Sequence, residues 1–563
     1  MSERMIGKLI FEPALKCELN IIRHDLTAIS NEFKAADFTQ DQFVVADAKI
    51  INRKELLSQL GLKNPNINDA ELILHAYRKW NEYCPQYLIG DFAFAIWDAK
   101  QKKLFLARDP LGKRMLFYYF KPGQAFYFAT TVKDLFSNYP LTPILNQEKL
   151  ANFLVNIMSD YENTFYKDIK RLSGGHSLCI ENKKCRLHNY WSIATVLQKG
   201  PLSQPLMTSI EQCREWFIAG IKSQIPTHGF LGAHFSGGLD SSAITAAAAR
   251  LLGKEKLFAF HYLPQRNNES EYLRALKDNF PNVEVLLFEG MEEQQQHLYE
   301  WMENPYRIPG AVNWHQQFFK SAQKNNVSTL LMGDMGDHTI SWHGFSKSSY
   351  FKNPLRKILV VLQFLQPLQK RLRYSSGINP QFLRRMQLSF RYAEYLAQTQ
   401  KIFSSYAGRP GIFKYQMLDA ENSLYNALRA QYGITHYDPF SDRRIVELCA
   451  RLPNDVFTDG IEYRLFARKI FADMLPKCIL DRKVKRGNLV DWRLCLRQQR
   501  PLFVDGLNTW EKNEIAEYLD LKYLRKLLAA GDSRSYAILN RAMDIGFFIQ
   551  NILIHVRRGF YKT

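Results

Sequence analysis

Eight residues, Phe235-Ser236-Gly237-Gly238-Leu239-Asp240-Ser241-Ser242, constrain this chain more than any other stretch. The apolar run ahead of them, 229–235, reads as a buried parallel strand. The alanine-dominated run behind them, 243–252, is a strong helix former that Gly253 ends. Strand, glycine turn and helix start, in that order, build an anion site. The two glycines let backbone N–H groups approach a phosphate closely. Ser236, Ser241 and Ser242 add hydroxyl donors, and the helix N-terminus adds positive potential. Asp240 would repel phosphate unless a cation lay between them, so the motif implies Mg2+. No Gly-Lys-Ser/Thr follows at Walker spacing, which places the loop in another class of nucleotide site.

A chain of 563 residues has room for two or more domains, each with its own core. Its formal charge of +20 calls for an acidic partner: nucleotide, nucleic acid, membrane surface or peptide. No run of aromatics and arginines resembles an RNA-binding module, so nucleic acid is set aside. Uninterrupted apolar runs such as 92–97 and 358–362 are too short to span a bilayer, and residues 1–5 lack the apolar core of a signal peptide. The eight cysteines are scattered without a Cys-x-x-Cys pair, which indicates neither a zinc site nor a disulfide framework. The expected compartment is the cytoplasm.

Residues 1–195 carry repeated β-like runs at 43–46, 92–97, 104–107, 116–120 and 125–129, interrupted by helical patterns such as 69–80. That mixture predicts sheet layers flanked by helices, an α+β domain. The segments Asn52-Arg-Lys-Glu-Leu56, Asp69-Ala-Glu71, Leu88-Ile-Gly-Asp-Phe-Ala-Phe-Ala-Ile-Trp-Asp98 and Ala107-Arg-Asp-Pro-Leu-Gly-Lys113 resemble the glutamine amidotransferase domain of asparagine synthetases. The resemblance implies a class II amidotransferase-like α+β sandwich. It also implies that the domain is inactive. The family's nucleophile is a cysteine that follows the initiator methionine, and Ser2 stands there. Its Asn-Gly-Glu segment, which binds the oxyanion and glutamine, is replaced by Asp47-Ala-Lys-Ile-Ile-Asn52.

Residues 196–210 read as a linker rich in turn formers, and 211–563 as a second domain. Its strands fall at 257–261, 283–288 and 327–332, with a helix at 270–278, a parallel α/β pattern that also carries the glycine loop. That loop resembles the pyrophosphate loop of ATP pyrophosphatases, which cleave ATP to AMP and pyrophosphate. The implied fold is an adenine-nucleotide α-hydrolase-like parallel α/β synthetase domain with a helical insertion. The last of these strands runs into Gly333-Asp334-Met335-Gly336-Asp337-His338, glycines and acids at the ligand edge of such a sheet. The resemblance implies ATP contacts from Phe235, Ser236, Gly237, Gly238, Asp240, Ser241, Ser242, Phe260, Gly333 and Asp334, with Mg2+ shared by Asp240 and Asp337. His338 replaces the family's usual glutamate, and its role is open.

The stretch 345–403 is helical, aromatic and basic, with ten Lys or Arg from Lys347 to Arg391 and no acid until Glu394. It is either a solvated face or a surface for an acidic peptide or protein. Beyond it, Pro439-Phe-Ser-Asp-Arg-Arg444 and Ile479-Leu-Asp-Arg-Lys-Val-Lys-Arg-Gly487 also resemble family segments. In the second, Lys485 is the expected catalytic cation and Lys483 the alternative. A lysine there stabilises the leaving pyrophosphate and then the tetrahedral oxyanion.

The shared reaction of the asparagine synthetase superfamily turns a carboxylate and ATP into an acyl-adenylate that an amine attacks. The missing glutaminase centre, and Thr435-His436-Tyr437 in place of the family's Glu-x-Arg, set the chain apart from true asparagine synthetases. The Asp69-Ala-Glu71 to Gly112 segment, the Pro439-Phe-Ser-Asp-Arg-Arg444 element and the long basic helical insertion resemble the lasso-peptide cyclases. These activate an Asp or Glu side chain of a precursor peptide and close it onto that peptide's N-terminal amine. The implied partners are the core peptide, a leader peptidase and a leader-recognition protein of the same pathway. β-Lactam synthetase and ammonia-dependent asparagine synthetase are the alternatives.

Overall fold

Alternating apolar runs separated by turns require sheets that bury at least one face, and the first 190 residues build two. The computed structural model describes residues 3–11, 16–23, 42–155, 157, 160–262, 270–288, 303, 305, 311–344, 368–405, 414–482 and 492–558. The first sheet joins β1 (Glu3–Ile10), β2 (Lys16–Arg23), β6 (Phe117–Lys121), β7 (Ala125–Ala129) and β8 (Ile169–Arg171) in the order β2-β1-β7-β6-β8. The second joins β3 (Gln42–Ile50), β4 (Gly90–Asp98), β5 (Lys103–Arg108), β9 (His176–Glu181) and β10 (Lys184–Asn189) in the order β10-β9-β5-β4-β3. Met5, Leu9, Phe126 and Phe128 of one sheet meet Val45, Ala95, Leu106 and Ile180 of the other in a common core. On the outer face of the second sheet, Phe92, Phe94 and Phe105 pack against Leu72, Ile73 and Tyr77 of the helix Asp69–Trp80. This is the expected α+β sandwich.

The second domain is organised by five parallel strands, β11 (Phe230–His234), β12 (Leu257–Tyr262), β13 (Val283–Phe288), β14 (Val327–Leu331) and β15 (Thr435–Tyr437), in the order β13-β12-β11-β14-β15. Leu231, Ala233 and Ala259 face the helices Leu206–Ser223 and Leu239–Leu252, while Phe258, Phe260 and Leu330 face a core that also holds Phe318, Leu428 and Trp510. Strand order reverses between β11 and β14. Loops leaving those two strands therefore open side by side at the carboxyl edge, where a parallel sheet binds ligands.

The stretch 196–210 between the two domains is partly helical. A helix occupies Ile193–Gln198, and the next starts at Leu206, directly after Pro205. Between them, Gly200 and Leu202 are tied to Arg451 through its guanidinium (2.9 Å) and carbonyl (3.1 Å). The basic insertion, as far as it is described, forms the helices Leu368–Ser376, Pro380–Arg385 and Leu388–Ser405. Among the described residues one stretch, Ser535–Ile554, is long and apolar enough to cross a membrane, but 67% of its apolar window is buried, with Leu539, Phe548, Ile549 and Ile552 fully covered. It is a core helix.

Candidate active site

The glycine loop leaves β11 through Phe235 and enters the helix Leu239–Leu252 at Gly238. Gly237 takes φ +67°, a left-handed conformation that a side chain would strain. Hydroxyls tie the turn internally: Ser236 N donates to Ser241 Oγ (3.0 Å), and the two hydroxyl oxygens lie 2.9 Å apart. Ser236, Gly238 and Asp240 are left partly open toward the sheet edge. The outcome is a preshaped anion cradle.

Not every expected contact faces that cradle. Phe260 has no exposed surface; its ring packs against Phe288 and Phe318 beneath the sheet, and only its carbonyl reaches the loop, accepting from Phe235 N at 2.9 Å. Phe235 is likewise fully buried, as is Ser242 one turn into the helix. These three side chains support the cradle from behind and do not line it. A strand buried on both faces gives no sequence signal for which side chains point at the ligand.

Beside the cradle, β14 delivers Gly333 to His338. Gly333 is half-buried and Asp334 exposed, and Tyr425 donates to the Asp334 carboxylate at 2.5 Å. His338 ends a short turn, Gly336–His338, and is half-buried. Gly336 lies so close to Asp240 that a Cβ would fall 2.5 Å from its carboxyl carbon. Asp240 accepts a hydrogen bond from Ser341, and Asp337 one from Arg464. The other end of the Arg464 guanidinium stands 3.9 Å from Asp240. Two carboxylates thus converge on one guanidinium. Mg2+ is usually held by one or two carboxylates plus phosphates and water, so this donor set suits a magnesium–nucleotide. Among the described residues no cluster of three or more His, Cys, Asp or Glu could hold a metal.

Three further groups, none of them among the expected site residues, frame the site. Arg482 donates to Gly237 O at 2.7 Å and lies 4.4 Å over the Tyr272 ring, which brings a cation onto the glycine loop. It opens the expected basic loop, whose Lys483 and Lys485 lie outside the described residues. Asp438 accepts from Met335 N (2.7 Å) and Phe440 N (2.9 Å), bracing the turn between Gly333 and Gly336. Burial raises its carboxyl to about 7 against the pull of Lys113, with Asp334 adding to the rise. Lys113 comes from the first domain, whose loop is held by Asn422 on Gly112 O (2.9 Å) and Asn426 on Lys113 O (2.9 Å).

The first domain's own candidate centre is closed by an ion cluster. Asp47, in the segment that replaces Asn-Gly-Glu, is 4% exposed. Its two oxygens accept from Arg429 of the second domain at 2.5 and 2.7 Å, and Arg114 lies 3.6 Å away. Burial pushes this carboxyl up, yet Arg429 and Arg114 together hold it below the usual range.

Comparison with known proteins agrees with both halves. Residues 34–191 match the glutamine amidotransferase domain family and 212–545 the asparagine synthase family. Similar proteins include asparagine synthetase [glutamine-hydrolyzing] 3 of Bacillus subtilis, 23% identical over 531 residues, spanning 86% of this chain and 81% of that protein. Another is the putative asparagine synthetase [glutamine-hydrolyzing] 2 of Methanocaldococcus jannaschii, 26% identical over 421 residues, 69% of this chain and 77% of that protein. With more than half its length matched, this chain belongs to the asparagine synthase family, a family of ATP-dependent amide-forming ligases.

Proposed function

We infer that this ligase adenylates an Asp or Glu side chain of a precursor peptide and closes it onto the peptide's own N-terminal amine, releasing AMP and pyrophosphate. The observation that carries the reading is Asp47. Where a glutaminase would bind glutamine, the chain has a buried carboxylate clamped by Arg429 and Arg114. The attacking nitrogen then comes from elsewhere, and an α-amine already attached to the substrate needs no ammonia source. The insertion exposes Arg384 and Arg385 and, five positions on, the 72% exposed Phe390, which suits a peptide better than a small metabolite.

In this reading the cradle at Ser236–Ser241 holds phosphate oxygens, and Arg482 with the basic loop offsets charge on the leaving pyrophosphate. Asp240 and Asp337 would hold Mg2+, which would supply positive charge to offset that of the triphosphate. Adenylation supplies a good leaving group, and an amine of pKa near 8 is about a tenth neutral at pH 7, so little further activation is needed. A leader peptidase and a leader-recognition protein would deliver the free N-terminus.

Ammonia-dependent asparagine synthesis is the second reading, supported by relatives that carry the asparagine synthetase name. ATP–pyrophosphate exchange separates the two. Exchange driven by peptides with an internal Asp or Glu supports the cyclase. Exchange driven by free aspartate and indifferent to peptide overturns it.

A further inference from the structure

Arg464 enters the helix Leu465–Ile470 from a left-handed backbone, φ +61° and ψ +31°. A residue with a Cβ adopts that conformation at some cost, so its surroundings must hold it there. Charge does so. Its guanidinium bonds Asp337, stands 3.9 Å from Asp240 and donates to His343 Nε2 at 3.0 Å, with the side chain only 11% exposed. Ser341 fixes the far side of Asp240, and Gly336, where a Cβ would fall 2.5 Å from the carboxyl carbon, makes room for that carboxylate.

The two acids that would hold Mg2+ are therefore already neutralised by a cation from the chain itself. A metal ion arriving alone must expel a desolvated guanidinium from between two carboxylates, with nowhere comparable for it to go. A nucleotide changes that balance. Its triphosphate offers the guanidinium a new anionic partner at the same edge of the sheet and frees the carboxylates for the metal. We propose that Arg464 is a placeholder cation which keeps the metal position closed until nucleotide arrives, so that Mg2+ loads only together with ATP. The proposal rests on the reading of Asp240 and Asp337 as the metal-holding pair.

Mn2+ tests this without turnover, because its free-ion EPR signal is lost on binding. Wild-type protein should leave the signal unchanged in the absence of nucleotide and, with a non-cleavable α,β-methylene ATP, bind Mn2+ beyond what the analogue alone takes up in a protein-free control. Arg464→Ala should bind Mn2+ without nucleotide, about 10- to 100-fold tighter than wild type. Arg464→Gln keeps most of the side-chain volume without the charge and should do the same, which covers a folding failure of the alanine variant. Arg464→Lys should stay close to wild type. The double variant Arg464→Gln/Asp337→Asn should lose the gained site. Equal nucleotide-free Mn2+ affinity in wild type and Arg464→Gln overturns the placeholder role. If wild type plus the analogue still binds Mn2+ and Asp337→Asn plus the analogue does not, the metal pair survives that failure. No Mn2+ binding under any condition overturns both.

Discussion

Replacing Asp47 with alanine should cost far more than the loss of one hydrogen-bonding side chain. Asp47 lies in the first domain, and Arg429, 382 residues away, in the second; both of its oxygens are bonded to that guanidinium. Arg114 and Arg429 have side chains only 5% and 7% exposed, so removing the carboxylate takes a buried counter-charge from both. Breaking a buried ion pair from one side costs about 3–5 kcal/mol. The expected effect is a loss of that size in the first urea unfolding transition followed by circular dichroism, together with faster proteolysis between the domains. Arg429→Ala alone should also destabilise. The double variant should fall well short of the sum, because the two share one interaction. Since Asp47 is held below the usual carboxylate range, its contribution is present above pH of about 4 and fades below it. A loss of less than about 1 kcal/mol in Asp47→Ala at neutral pH, or additive single and double variants, would refute the clamp.

Asp438 should act in the opposite sense. Burial pushes its folded carboxyl up to about 7 from an ordinary 3.8, so the wild type loses stability as pH rises between those values. Asp438→Asn should gain on the wild type by up to about 4 kcal/mol across that range in paired melts, and parallel pH profiles would contradict the burial of this acid. Gly336→Ala should fold, since its φ is unexceptional, yet lose about 10²-fold or more in kcat by pushing Asp240 aside; retention of full activity would mean Asp240 is not positioned by that contact. Lys485→Ala should lower kcat by about 10²–10³-fold with little change in KM, and Lys485→Arg should rescue poorly. If Lys483→Ala is instead the dead variant, the role moves to Lys483.

Much of the fold could be read locally. The helix Asp69–Trp80 begins at Asn68, which accepts from Glu71 N, with acids in its first turn and Arg78 and Lys79 in its last. The strands β11 to β14 announce themselves as short apolar runs, and the glycine loop fixes where the sheet edge lies. What stayed hidden depends on distance along the chain. β15 has three residues and exists because it pairs with β14 about a hundred positions earlier. Arg464 meets Asp337 across 127 positions, and no local pattern distinguishes it from a surface arginine. Within 196–210, helix resumes at Leu206 because proline just ahead of a helix is well tolerated, so Pro205 marks a helix start as well as a turn.

The source of the attacking nitrogen is the centre of the account, and isotope tracing addresses it directly. The protein is incubated with Mg2+, ATP, nitrogen-15 ammonium, free aspartate and peptides that carry a free N-terminus and an internal Asp or Glu. Products are read by mass spectrometry and nucleotides by chromatography. The expected result is AMP, pyrophosphate and a peptide lighter by one water that contains no nitrogen-15. Asparagine or a peptide amide labelled with nitrogen-15 would contradict the account.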